Sequence, residues 1–195
     1  MTVLGIDWTD PAVLGYPVIF GGVLLGSVVP VVPTGAVVGA AAAIAVSAGT
    51  LSLPLVLLVS VAGALLGDLV TFGVAKAGSV AALPWVARGQ SRDRLDEVRG
   101  RFATRGGLLV VVGRLVPAGR IPVLLAAGAL DYPWCRFVPA ALVGCVLWAA
   151  AYAVLGVVSG GLFDSPLVAT LVATALVLAV AGISALVARG LRSRT

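Results

Sequence analysis

Two arginines and one aspartate stand where an apolar chain has little reason to place them. Arg114 and Arg120 fall in GRLVPAGRIP (113–122), which packs two arginines, two prolines and two glycines between the apolar runs GLLVVV and VLLAAGAL. Asp68 lies in GALLGDLVTFGVAKAGS, with Lys76 eight residues further on. A guanidinium stays protonated and grips carboxylate or phosphate through a planar fork. A helix broken at Pro117 and Gly119 frees backbone N–H groups that add to the donors offered to an anion. An acid at the centre of a membrane helix costs about 2.5–3.5 kcal/mol on insertion scales, so Asp68 needs protein or water around it and a partner. Arg114 and Arg120 are the natural partners. Lys76 is advanced by roughly 80° and about 12 Å along a helix, so it either lines the same broad face or snorkels to the interface. Gly63, Gly67 and Gly73 let a neighbouring backbone come close.

The chemistry these residues offer is anion binding. The sequence has no His, no Cys–base pair, no Gly-Lys-Ser/Thr phosphate loop and no carboxylate pair at catalytic spacing, so neither an enzyme site, a metal nor a cofactor is expected. Cys135 and Cys145 sit in one predicted helix, about 15 Å apart along its axis and too far for a disulfide. Ser27, Thr34 and Ser47 read as back-bonding helix residues rather than nucleophiles. Two bland readings compete for the arginines: capping a soluble turn, or snorkelling from a hairpin that barely enters the membrane.

Composition favours the membrane. Of 195 residues, 61% are hydrophobic and 11% charged, with mean hydropathy +1.15; ordinary globular domains carry about 45–50% and about 25%. Residues 11–67, 137–163 and 165–188 contain no charged side chain, and about 20 apolar residues cross a bilayer. Such aliphatic continuity excludes an alternating barrel. The net charge of +5 comes from RGQSRDRLDEVRGRFATR (88–105), with six arginines against three acids, and from the tail RGLRSRT. Beside membrane spans these are topology signals, not nucleic-acid patches. The acidic N-terminus MTVLGIDWTD has no Lys or Arg and lacks the basic region of a cleaved signal peptide.

The expected fold is an all-α integral membrane protein. Segment 1–11 is extramembrane, and 12–160 forms the main membrane domain. Within it, 12–48 reads as a re-entrant hairpin broken at Pro30, Pro33 and Gly35, with two tilted crossings as the alternative. A span follows at 53–78. Segment 85–105 reads as an amphipathic surface helix, with Leu95, Val98 and Phe102 at helical spacing, or as a plain linker helix. Runs 106–113 and 121–130 are too short to cross alone, so 106–131 reads as a second re-entrant hairpin, hinged at Pro117, Gly119 and Pro122. Spans at 134–159 and 166–188 and a basic tail, 189–195, complete the chain. Arg136, Asp131 and Asp164 read as interfacial anchors. With 88–105 and the C-terminus cytoplasmic, the N-terminus lies outside and the hairpins enter from opposite leaflets.

An internal repeat supports that arrangement. VPTGAVVGAAA (32–42) and VPAGRIPVLLA (116–126) share Val-Pro, a small residue and Gly in register, 84 positions apart. The same shift lays 53–78 over 137–162. Inverted repeats with broken helices meeting at mid-membrane are a transporter architecture.

The run GGLLVVVGRLVPAGRIPVLLAAGALDYPWCRFVPAALVGCVLWA resembles the signature region of the DedA family, bacterial membrane proteins sharing the VTT (SNARE-associated) domain. The family's arginines fall on Arg114 and Arg120, and its later base on Arg136. GALLGDLVTFGVAKAG is similar to a second family element, placing its acid on Asp68 and its base on Lys76, and PVVPTG resembles a Pro-x-x-Pro element. The resemblance covers about residues 12–160. One departure is plain: the acid usual after Pro-x-x-Pro is Gly35 here, and the residues near Gly26 are uncharged. Asp68 is then the remaining core acid.

The resemblance implies a bacterial cell-membrane protein that moves a phosphate-bearing lipid, a phospholipid or undecaprenyl phosphate, with proton or sodium coupling. Arg114 and Arg120 would bind the phosphate, with Asp68 and Lys76 as coupling or counter-charges. The rivals are an ion-coupled transporter of a small solute and a non-transporting protein that organises membrane partners.

Overall fold

The computed structural model describes residues 2–3, 6–7, 11–29, 33–89, 92–116 and 119–162. The expected helix 166–188, the tail 189–195, Pro30 and Pro117 lie outside them. Among the described residues six helices follow in order: α1 (Pro11–Val28), α2 (Thr34–Ser47), α3 (Leu53–Gly89), α4 (Arg92–Leu115), α5 (Arg120–Ala129) and α6 (Trp134–Leu162). The fold is helical as expected, except for a small addition at the start. Thr2–Val3 (β1) and Ile6–Asp7 (β2) pair antiparallel, a place where three β-branched residues favour extended backbone.

Among the described residues two helices are long and apolar enough to cross a membrane, over Leu53–Gly78 and Trp134–Val158. Only 33% and 39% of those windows are buried, which sets them apart from the core helix of a soluble protein. Leu58, Val74, Val143 and Val154 are all more than half exposed. Each such side chain forgoes about 1.5–3 kcal/mol of burial in water, a loss that lipid removes. The helices α2 and α5 have 14 and 10 residues, and at 1.5 Å per residue neither spans a core about 30 Å thick.

Two boundaries differ from those expected. Helix α3 continues past 78 to Gly89, so residues 85–89 belong to it and not to the amphipathic segment. From Arg92 the chain is helical through Leu115, with a non-helical residue at Arg105 (φ −134°, ψ 22°). The polar stretch and the apolar first arm of the second hairpin are therefore one helix kinked where the composition changes.

The chain divides into two compact units, Met1–Gly67 with Val146–Thr195, and Asp68–Cys145. In the first, α1 and α2 fold back on each other. Gly15 faces Leu51, and the backbone N–H of Ser52 donates to the Tyr16 hydroxyl at 2.8 Å, so the end of the pair returns to its start. Helix α2 ends on Gly49 at φ 64°, a left-handed cap that glycine adopts without a Cβ penalty. Ser47 Oγ donates to the Ala43 carbonyl at 2.9 Å, the back-bonding expected of it. Glycines set the packing: Gly63 lies on the Phe20 carbonyl, Gly67 on Ser27, and Gly156 on Gly39.

Gly35, expected at the break, lies in the first turn of α2 instead, buried under the Tyr152 ring. A Cβ there would meet ring carbons at 2.5 and 2.6 Å. Overpacking of this kind costs about 1–3 kcal/mol. Gly35→Ala is expected to lower the melting temperature of detergent-solubilised protein, and Tyr152→Ala in the same chain to recover most of the loss; a melt unchanged by Gly35→Ala would contradict this packing.

A candidate anion site at the break of the second hairpin

The unit Asp68–Cys145 holds every charged residue singled out above for chemistry. Helix α3 presents Asp68, Phe72 and Lys76 at four-residue spacing, one stripe along a helix. Phe72 is fully buried. It stacks on Phe137 of α6, with centroids 3.9 Å apart, and meets Trp134 edge-on at 4.6 Å. This aromatic contact fixes α3 against α6 midway between the acid and the base.

Helices α4 and α5 fold back on each other. Gly113 faces Val123, and at the base Gly106 faces the Tyr132 ring. Between them, Val116 N–H donates to the Val112 carbonyl at 3.0 Å and Gly119 N–H to the Val116 carbonyl at 2.9 Å. The break thus lies between Leu115 and Arg120. Gly119 is the N-cap of α5 and makes no side-chain cap bond. Its missing Cβ is needed, because one would meet the Gly113 carbonyl oxygen at 2.9 Å. Pro122, expected among the breakers, lies in the first turn of α5, where no intrahelical N–H is needed and its fixed φ suits the helix. Pro33 stands at the N-cap of α2.

The break delivers both arginines to one carboxylate. Arg114, in the last turn of α4, donates from Nη1 to Asp68 Oδ2. Arg120, the first residue of α5, places Nε 3.4 Å from Asp68 Oδ1, an ion pair rather than a well-formed hydrogen bond. Each carboxylate oxygen therefore answers a different guanidinium. Asp68 and Arg114 side chains are 2% and 3% exposed, Arg120 17%, so Arg120 is the more accessible of the two cations. Gly144 of α6 lies against Arg114, where a Cβ would make ordinary contact with its Cδ at 3.4 Å. One acid against two permanent bases leaves the cluster with a net positive charge, beside the N-terminus of a ten-residue helix. That combination suits an anion.

Lys76 does not join this cluster. Its Nζ lies 2.7 Å from Asp131 Oδ1, donates to the Tyr132 carbonyl at 2.9 Å and sits 5.7 Å from the Phe72 ring centroid. Asp131, read above as an interfacial anchor, is thus its ionic partner.

Two participants escaped sequence reading. The Cys145 thiol, fully buried on α6, lies 3.8 Å from Asp68 Oδ2. A cysteine on the apolar face of a span looks like core, and the one available signal was its spacing from Phe137 and Ala141, also buried. Tyr132, whose ring receives Gly106 and Phe102, sits in a connector where an aromatic reads as a membrane-interface residue. Among the described residues no group of three or more His, Cys, Asp or Glu could hold a metal.

Residues 41–158 match the VTT domain. The chain is 28% identical over 143 residues to inner membrane protein YabI of Escherichia coli, covering 73% of this chain and 55% of that relative. It is 30% identical over 138 residues to the uncharacterized membrane protein slr0232 of Synechocystis, covering 70% and 63%. The chain spans between about half and two thirds of the length of these curated relatives. No solved structure matches it significantly.

Proposed function

Because the chain belongs to the VTT-domain, or DedA, family of membrane proteins, we propose that it moves a phosphate-bearing lipid across the bacterial membrane. The observation that carries this reading is the buried cluster in which Asp68 holds Arg114 and Arg120 at a helix break. A lipid phosphate is an anion that must pass the apolar core, and a net-positive cluster at mid-membrane gives it a resting place while its chains stay in lipid.

Asp68 acts as the internal stand-in for that phosphate. With no lipid bound it occupies both guanidiniums. An arriving phosphate takes over Arg120, the more exposed and less tightly paired of the two, while Arg114 stays on Asp68. When the phosphate leaves, the carboxylate recovers Arg120, so neither state strands a buried charge. This answers how the anion is released without an acid in the first hairpin, since Gly35 stands where that acid would be. Any proton or sodium coupling then runs through Asp68.

In this reading both broken helix pairs are re-entrant and enter from opposite leaflets as an inverted repeat. The site is the bacterial inner membrane, with 88–105 and the C-terminus in the cytoplasm.

The test is translocation by the full chain in sealed vesicles. Acyl-labelled phosphatidylglycerol is expected to exchange leaflets well above the rate in protein-free vesicles, while entrapped inorganic phosphate stays inside. Phosphate efflux without lipid exchange would assign the same cluster to a small soluble anion. Neither movement would reject transport.

A further inference from the structure

The cluster at the tip of the second hairpin is matched by a second set of contacts at its base, and together they fix how α5 lies on α3. Arg120 opens α5 and meets Asp68; eight residues later Gly128 rests on α3 so closely that a Cβ would meet the Lys76 backbone N at 2.8 Å. Eight residues separate Asp68 from Lys76 as well, so α5 runs parallel to α3, in step over about 12 Å. The charges alternate in the matching sense. On α3 an acid precedes a base, whereas from α5 into its cap a base precedes an acid, Asp131.

Asp131 is placed there by an unusual backbone. Its φ is +57°, and it ends α5 with its N–H on the Gly128 carbonyl at 3.0 Å and the Tyr132 N–H on the Ala127 carbonyl at 2.9 Å. This is a Schellman cap, whose left-handed residue is usually Gly. Apart from Gly, Asp and Asn are the residues that best tolerate that conformation, so the cap admits a carboxylate at this corner. Lys76 takes that carboxylate and the next carbonyl together. The Tyr132 ring meanwhile receives Phe102 at 5.8 Å and Gly106, on either side of the α4 kink at Arg105. The end of α5 and the kink of α4 thus share one corner, tied to α3 by Lys76.

We infer that Lys76 and Asp131 are positioning residues: a base clamp that sets the register of the hairpin on α3, so that Arg114 and Arg120 arrive at Asp68. A one-residue slip of α5 would displace Arg120 by about 1.5 Å and rotate it by roughly 100°, enough to break its pairing. The clamp holds whatever anion the tip receives.

Cys145 beside Asp68 is a native reporter of the tip. In a Cys135→Ser background, Cys145 of the full chain in detergent is expected to resist N-ethylmaleimide. Lys76→Met and Asp131→Gly should each raise its alkylation rate by up to about fivefold, the upper end of what one ion pair with an exposed acid supports, with helix content and chromatographic behaviour unchanged. Lys76→Arg should stay near the parent rate. Asp131→Gly is the discriminating variant, because it relaxes the left-handed residue while removing the carboxylate. If Asp131→Gly leaves Cys145 as protected as in the parent, the carboxylate has no positioning role and the clamp is overturned. Should Lys76→Met fail to fold, Asp131→Gly alone decides. No lipid substrate is added, so failure here leaves the transport reading standing, and failure of transport leaves the clamp standing.

Discussion

Asp68→Asn is expected to yield little folded protein. The carboxylate is 2% exposed and its Arg114 partner 3%, and removing one member of a buried pair costs about 3–5 kcal/mol. Membrane insertion does not soften this, because the chain offers no other acid between residues 11 and 92. Two buried guanidiniums would lose the carboxylate they share. Set against a typical folding stability of about 5–15 kcal/mol, the loss is large enough to read as aggregation during detergent extraction. Asp68→Asn with Arg114→Gln removes one cation as well and lets two amides bond to each other, so it is expected to recover monodisperse protein while transport stays lost. Size-exclusion profiles and melts of the three proteins check this. An Asp68→Asn protein as stable as the parent would show that the carboxylate is not charged in the fold.

The second large effect separates function from folding. Arg120 is more exposed than Arg114 and meets Asp68 at 3.4 Å, so Arg120→Gln leaves the Asp68–Arg114 pair in place and the fold intact. A hydrogen bond to a charged group is worth about 1.5–3 kcal/mol, and each 1.4 kcal/mol is about tenfold in an equilibrium or rate. Lipid exchange by Arg120→Gln is therefore expected to fall by roughly tenfold to a hundredfold at equal amounts of folded protein. Arg120→Lys should retain part of the rate, since a point charge remains while the planar fork is lost. Arg114→Gln should behave differently and lose folded protein, because it strips Asp68 of its nearer partner. Equal exchange by Arg120→Gln and the parent would remove Arg120 from the path of the lipid.

Much of this architecture was legible because membranes make few demands and make them strictly. Long apolar runs marked the spans in α3 and α6, since a spanning helix must satisfy its backbone internally and present mostly apolar side chains. Pro and Gly clusters marked the two breaks, and Arg114, Arg120 and Asp68 were associated before any geometry was known, because an intramembrane ion needs a partner. What stayed hidden depends on which helix lies beside which. Lys76 could be read toward Asp68 or toward the interface. Only the parallel course of α5 along α3, set by Gly128 against Ala75 and Lys76, shows that it meets Asp131. Cys145 and Tyr132 carry no periodic signal that distinguishes site from core. Pro33 and Gly119 stand at the N-caps of α2 and α5, whereas Gly35 and Pro122 are first-turn residues: one yields space to Tyr152, and the other suits a helix start.

The most direct test of the central claim is headgroup discrimination by the unmodified full chain. Vesicles would carry two lipids with the same fluorescent acyl chain, one phosphatidylglycerol and one uncharged glycosyl-diacylglycerol, and leaflet exchange of each would be timed. Phosphate recognition by Arg114 and Arg120 predicts that phosphatidylglycerol exchanges at least about tenfold faster, the worth of one charged hydrogen bond. Equal rates for the two lipids would contradict a phosphate site at the Asp68–Arg114–Arg120 cluster.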